Sequence, residues 1–148
     1  DRVNAINSGV TVNHRIEYVN ESNLHERIKD GNVVMDCLDS IDTRFKLQKA
    51  AEKASIPIVS GAIAGVAGQV MTIFPGDKGY ELIYGKKGAK QSKGVETKTG
   101  NIAYCALFVA ALQASECLKI LLNRGDILQN KLLIAELWTN TFDTVDLI

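Results

Sequence analysis

The chain has 148 residues, 46% of them hydrophobic, with Lys plus Arg at 17 and Asp plus Glu also at 17. Such a length suits one domain with one sizeable core, and such a composition excludes a disordered chain. With no basic excess to meet phosphates, a nucleic-acid partner is not expected. Residues 1–9 read as the last turns of a helix ending at Gly9, and a helix without a beginning suggests a piece of something longer. Residues 10–18 alternate through Val10, Val12, Ile16 and Tyr18, and their β-branched content predicts a strand. His14 falls in that strand, where a surface or satisfied histidine is far commoner than a ligand. Ser22 then opens a short capped helix with Leu24 and Ile28 on one face and His25 on its polar side. Asp30-Gly31-Asn32 ends it.

Residues 33–44 read Val-Val-Met-Asp-Cys-Leu-Asp-Ser-Ile-Asp-Thr-Arg. Val33, Val34 and Met35 show no polar alternation, so they suit a strand (32–38) buried on both faces of a parallel sheet. Asp36 and Asp39 then fall near the carboxyl edge of the sheet, where open α/β folds bind ligands. Asp39 or Ser40 caps a helix over about 41–55, with Ile41, Phe45, Ala51 and Ala54 on its inner face and Lys46, Lys49, Glu52 and Lys53 toward water. A cap alone does not account for carboxylates on both sides of Cys37 and Leu38, so the pair is a candidate metal or phosphate-metal site. Arg44 lies in the first turn, where the helix dipole disfavours a cation unless Asp39, Asp42 or a bound anion answers it.

Pro57 halts this helix, and Ile58-Val59 forms a short buried strand ending at Ser60-Gly61. Strand, helix, strand is the unit of a parallel sheet with a right-handed crossover. Gly61, Gly65 and Gly68 resemble a phosphate cradle only in spacing, because the following 69–74 look like strand rather than helix; turns and close backbone approach are the preferred reading. Residues 75–100 are polar and glycine-rich with Lys86, Lys87, Lys90, Lys93 and Lys98, and a flexible loop is expected near 76–100. Asn101 caps a long helix to Asn123, with Ile102, Cys105, Val109, Leu112, Glu116 and Ile120 on one side. Gln113, Ser115, Glu116 and Lys119 interrupt its apolar run, so it reads as a core helix rather than a membrane span, and no membrane partner is expected. Arg124-Gly125-Asp126 closes it, glycine at a helix end being sufficient explanation of the tripeptide. Two strands at 131–137 and 141–147 form a hairpin around Thr139-Asn140, with Trp138 read as packing. Three cysteines, Cys37, Cys105 and Cys117, without Cys-x-x-Cys spacing, point to a reducing, cytoplasmic setting and to residues in separate core elements.

The run Val-Val-Met-Asp-Cys-Leu-Asp-Ser-Ile-Asp-Thr-Arg-Phe, then Ile-Pro-Ile-Val-Ser-Gly-Ala, then Gly-Gln-Val-Met-Thr-Ile-Phe-Pro-Gly, then Leu-Gln-Ala-Ser-Glu-Cys-Leu-Lys resembles the ThiF/MoeB/HesA family of ubiquitin-activating-enzyme-like adenylyltransferases. The resemblance covers nearly the whole chain, including Asn-Ala-Ile-Asn and the closing hairpin. It implies an α/β fold: a partial Rossmann-like sheet whose parallel core strands are continued by antiparallel ones, with helices packed on it. It also implies ATP-dependent adenylation of the C-terminal carboxylate of a small ubiquitin-like carrier protein or peptide, usually in a dimer. By position Asp39 is the family's aspartate at the ATP and magnesium site, with Asp36 and Arg44 beside the nucleotide; Ser40 stands where the family usually has asparagine.

The family's glycine-rich nucleotide loop, first strands, and phosphate-contacting arginine and lysine correspond to sequence upstream of Asp1. The chain is therefore expected to be the C-terminal part of such a domain, with ATP and Mg²⁺ held in the intact parent and none by these 148 residues alone. Zinc is not expected, because the first Cys-x-x-Cys pair is replaced by Gly-Tyr-Glu-Leu-Ile-Tyr-Gly; nor is a thioester, because residues 95–100 contain no cysteine. A non-catalytic binding subunit of a heterodimeric activating enzyme is the alternative. A dinucleotide-binding oxidoreductase fragment is disfavoured by the missing glycine fingerprint.

Overall fold

The structure, a computed structural model, describes residues 2–86 and 99–148. Helix α1 (Arg2–Ile6) is followed by a stretch without regular structure, then α2 (Leu24–Ile28), β1 (Val34–Asp36), α3 (Ile41–Ala54), β2 (Ile58–Ala64), β3 (Ala67–Ile73), α4 (Tyr80–Tyr84), a long helix α5 (Ala103–Leu122), β4 (Lys131–Glu136) and β5 (Thr141–Asp146). The strands form one five-stranded sheet in sequence order. β1 and β2 run parallel, and every later pairing is antiparallel. This is the mixed α/β sheet that the family resemblance implies.

Successive strand residues point to opposite faces, and the alternation divides the core in two. Ile58, Met71, Ile73 and Leu132 pack with Leu24 of α2, Leu47 of α3 and Tyr80 of α4. Val59 and Val70, one residue out of step, pack with Val109 and Cys117 of α5. The sheet is thus covered by α2, α3 and α4 on one face and by α5 on the other. Glu116 anchors α5 inside this second layer, its Oε2 accepting from Thr72 Oγ1 at 2.9 Å and from the Leu128 amide at 2.9 Å.

Several expectations need correction. Residues 10–18 form no strand: no described residue pairs with them, and Ile16 and Tyr18 stand exposed, so the β-branched alternation has no ladder to join. β1 spans three residues rather than 32–38, and its Met35 is 42% exposed, because β1 pairs on one side only among the described residues. β2 continues past Gly61 to Ala64 and turns through Gly65 (φ +60°) into β3. The three glycines therefore serve a hairpin and close packing. A Cβ at Gly68 would sit 2.3 Å from Val109 Cγ2, and one at Gly61 would sit 2.4 Å from Gln113 Cδ.

At the helix ends, α2 begins after Asn23, and the Ser22 hydroxyl donates to Asn20 Oδ1 instead of capping it. α5 begins after Ile102 with no side-chain cap, while Asn101 bridges to Gly65. The loop after β3 contains α4, which the glycine and lysine content hid; the expected flexible stretch over 87–98 lies outside the described residues. α5 buries Cys105, Val109, Gln113, Glu116 and Cys117, but Leu107, Leu118, Leu121 and Leu122 remain exposed, so only one face is core. By length and apolar content α5 would pass for a membrane span, yet its buried face carries the polar Gln113 and Glu116 bound to the sheet. Trp138 is likewise exposed, its indole N–H donating to the Tyr104 hydroxyl at 3.0 Å.

Candidate functional site

β1 stops at Asp36 while β2 runs four residues further, to Ala64. The edge of β2 beyond Ser60 has no strand beside it among the described residues, and a cleft of about 710 Å³ opens there. Its polar lining includes Asp39 from the turn before α3, Arg44 from the first turn of α3, Gln69 from β3, Tyr84 from α4 and Gln113 from α5. Its apolar lining includes the small Ala62 and Ala64 of β2, Gly68 of β3 and Ala106 of α5 beside the larger Ile63, Ile83 and Val109.

The turn between β1 and α3 brings Asp39 to this rim. Ser40, in extended conformation, is the N-cap of α3 and accepts from the Thr43 amide at 3.4 Å. Of the two residues expected to cap, Ser40 therefore does so. Asp39 is exposed on the cleft, and its carboxylate has no hydrogen bond or ion pair among the described residues.

Asp36 is in a different position. The residue is 1% exposed, and its side chain lies beneath the turn. Asp36 sits opposite Ser60 in the parallel register, so both side chains project to the α3 face. Its Oδ2 accepts from the Tyr80 hydroxyl at 2.6 Å and from Ser60 Oγ at 3.2 Å, and pairs with Arg44 Nη1 at 3.2 Å. Its Oδ1 accepts from the Leu38 amide at 2.9 Å. Four donors thus balance one buried carboxylate, which is what burial of that charge requires.

Arg44 is buried as well. Besides Asp36, its Nη1 reaches Ser60 Oγ at 3.4 Å; Nη2 donates to Leu38 O at 2.6 Å and to Gly61 O at 2.9 Å; Nε donates to Leu38 O at 3.2 Å. A guanidinium has five N–H groups, and here five contacts engage it. The charge that answers Arg44 is Asp36, not Asp39 or Asp42; Asp42 pairs instead with Lys46 at 2.6 Å. The periodicity of α3 misled at this point, because Arg44 belongs to its buried face together with Ile41 and Leu47.

Two contributors were missed at the sequence level. Tyr80 is fully buried, and burial, reinforced by the Asp36 charge, pushes its phenol well above the ordinary tyrosine range. At neutral pH it is therefore a hydrogen-bond donor. Gln113 donates from Nε2 to Asp36 O at 2.9 Å and to Val59 O at 3.1 Å, tying α5 to both parallel strands. A glutamine on the apolar side of a long helix was the available signal. Cys37 is exposed, not a core residue, whereas Cys105 and Cys117 are buried as expected. Partial burial first, and then the Asp36 charge, raises the Cys37 thiol above its ordinary value, so it is no thiolate at neutral pH.

Among the described residues no three His, Cys, Asp or Glu side chains cluster as a metal cage. What the cleft offers a cation is the unengaged carboxylate of Asp39. That donor set fits Mg²⁺ presented with phosphate, since magnesium keeps several waters and takes one or two carboxylates plus substrate oxygens.

Residues 1–148 match the ThiF family over their whole length. The SAMP-activating enzyme E1 of Haloferax volcanii is 31% identical over 143 residues, covering 97% of this chain and 53% of that protein. The sulfur carrier protein ThiS adenylyltransferase of Bacillus subtilis is 31% identical over 140 residues, covering 94% of this chain and 40% of that protein. The chain thus spans 53% and 40% of the length of these two relatives. The crystal structure of E. coli MccB with ATP superposes with a TM-score of 0.68 at 16% identity, over 98% of this chain and 45% of that one, a likeness of fold.

Proposed function

This chain belongs to the ThiF family, and we propose that it forms the acidic rim and floor of a site that adenylates the C-terminal carboxylate of a small ubiquitin-like sulfur-carrier protein or peptide at the expense of ATP. The observation that carries this reading is Asp39: an exposed carboxylate at the carboxyl end of a parallel strand, relieved of capping by Ser40 and facing the cleft. Relatives that act on SAMP and ThiS by name support the carrier class.

In this reading Asp39 is the catalytic carboxylate and would hold Mg²⁺, which when bound would supply charge neutralisation at the triphosphate. Asp36 and Arg44 belong to the nucleotide side of the same site. Because their hydrogen-bonding groups are occupied by Leu38, Ser60, Gly61 and Tyr80, they serve it by holding the turn that carries Asp39. The edge of β2 beyond Gly61, which has no strand beside it among the described residues and is lined by alanine and glycine, suits an extended carrier tail, which can add main-chain hydrogen bonds to an open strand. The exposed leucines of α5 support a dimer, and the free thiols support a reducing, cytoplasmic setting.

The test is ATP–pyrophosphate exchange by the full-length protein, with and without a carrier ending in a free carboxylate. Carrier-dependent exchange supports the reading. Carrier binding without exchange would place the protein with the non-catalytic subunits of heterodimeric activating enzymes.

A further inference from the structure

Tyr80 has no place in the reaction proposed above, yet it is the largest fully buried side chain of the described residues, and its hydroxyl is directed at the carboxylate under the active turn. It comes from α4, five residues long, in the loop between β3 and α5. The helix is seated by more than this hydroxyl. Gln48 of α3 accepts from the Tyr80 amide at 3.0 Å and donates to the carbonyls of Asp77 and Lys78 at 3.2 Å each. The Tyr80 ring lies 5.9 Å from that of Phe45 and 6.3 Å from that of Tyr84. Tyr84 in turn lines the cleft.

From the hydroxyl a continuous set of contacts leads to Asp39. Tyr80 fixes Asp36 Oδ2; Asp36 Oδ1 holds the Leu38 amide; Arg44, paired with Asp36, holds the Leu38 carbonyl through two nitrogens. Both main-chain polar groups of the residue preceding Asp39 are therefore pinned by one buried ion pair, and Tyr80 is the side chain on the Asp36 carboxylate supplied from outside β1, β2 and α3. We propose that Tyr80 is a positioning residue for Asp39, its hydroxyl locking the 37–39 turn through Asp36 so that α4 and the carboxylate on the cleft rim are held in one arrangement. The consequence is a coupling: displacement of α4 frees the turn and withdraws the order of Asp39. This inference rests on the adenylation reading for what Asp39 does, but the coupling itself is independent of it.

Cys37 provides a reporter inside the turn. It is the exposed cysteine, whereas Cys105 and Cys117 are buried, so a thiol reagent at limiting time reads this turn. Tyr80→Phe keeps the ring among Phe45 and Tyr84 and removes only the oxygen. The matched control is Thr72→Val, which removes another buried hydroxyl from a carboxylate, Glu116, on the opposite face of the sheet. The full-length protein and both variants are treated with iodoacetamide below their unfolding transitions, and modification at Cys37 is timed by peptide mass spectrometry.

The Tyr80→Phe rate is expected to rise at least about tenfold, the scale of one lost hydrogen bond to a charged group, while Thr72→Val leaves it within about twofold. In the exchange assay Tyr80→Phe should raise the magnesium concentration for half-maximal rate, and Thr72→Val should not. An unchanged Cys37 rate in Tyr80→Phe, or an equal rise in both variants, overturns the coupling. A selective rise in Cys37 reactivity in a protein that shows no exchange even before substitution sustains the coupling and overturns the adenylation reading alone. Should Tyr80→Phe fail to fold, hydrogen exchange at the Leu38 amide in the unsubstituted protein decides: protection equal to that of the β2–β3 ladder supports the lock, and exchange at the rate of a free loop refutes it.

Discussion

Asp36 and Arg44 lie 3.2 Å apart in the interior, and both reach past one another to Leu38, the carboxylate taking its N–H and the guanidinium its carbonyl. The ion pair is thus also a clamp on main chain. Strand β1 is too short to extend the ladder to this point, so the polar groups of the turn are satisfied by side chains instead.

Breaking the pair from one side should be costly, because it leaves a charge buried without its partner. Arg44→Met, which retains an apolar stem of similar length, is expected to lose about 3–5 kcal/mol in chemical denaturation. Replacing both charges, in Asp36→Asn with Arg44→Met, should recover part of that loss. A single-variant loss below about 1 kcal/mol would mean that the pair is not a determinant of stability.

The raised phenol of Tyr80 makes a prediction at alkaline pH. The folded state resists losing this proton while the unfolded chain loses it near pH 10. Above that pH the unfolded state binds fewer protons, so its stabilising contribution is complete below about pH 10 and is lost as pH rises from there toward the folded value. Of the four tyrosines, one should therefore fail to ionise in an absorbance titration until the protein unfolds. Tyr80→Phe should remove that step and flatten the alkaline fall in stability relative to the parent; an identical pH profile in the variant contradicts the assignment.

Gly68 tests the contact between β3 and α5. A methyl group there meets Val109 Cγ2 at 2.3 Å, on a buried, branched side chain with little room to yield. Gly68→Ala is expected to cost about 1–3 kcal/mol. Adding Val109→Ala should relieve part of it, so the double variant is more stable than the sum of the singles predicts. Strict additivity would show that the close approach is not the cause.

The elements most legible in the sequence were those with local signals. α3 was marked by Ser40 before it and Pro57 after it, and the closing hairpin by Asn140 at φ +56° between two β-rich runs. Residues 10–18 carried an equally good strand pattern and formed none, because a strand is completed by a partner and not by its own residues. In the site, Asp36, Asp39 and Arg44 were all visible as residue types. Their division into a buried pair and an exposed carboxylate was not, since it depends on Ser60 lying opposite Asp36 and on Tyr80 arriving from 44 residues away. The parts that Tyr80 and Gln113 play were not legible, because each looks like an ordinary constituent of a loop or a core helix until its partner is in place.

The central claim is that Asp39 acts on a nucleotide-bound metal while Ser40 caps the helix. Carrier-dependent ATP–pyrophosphate exchange, measured on Asp39→Ala and Ser40→Ala of the full-length protein beside their melting temperatures, tests it most directly. Asp39→Ala should lose about 10²–10³-fold or more in exchange, the scale of removing one preorganised electrostatic group, at an unchanged melting temperature. Ser40→Ala should retain exchange and melt about 2–4 °C lower, as expected for a lost cap of about 1 kcal/mol. Full exchange by Asp39→Ala, with a lowered melting temperature, would contradict the account.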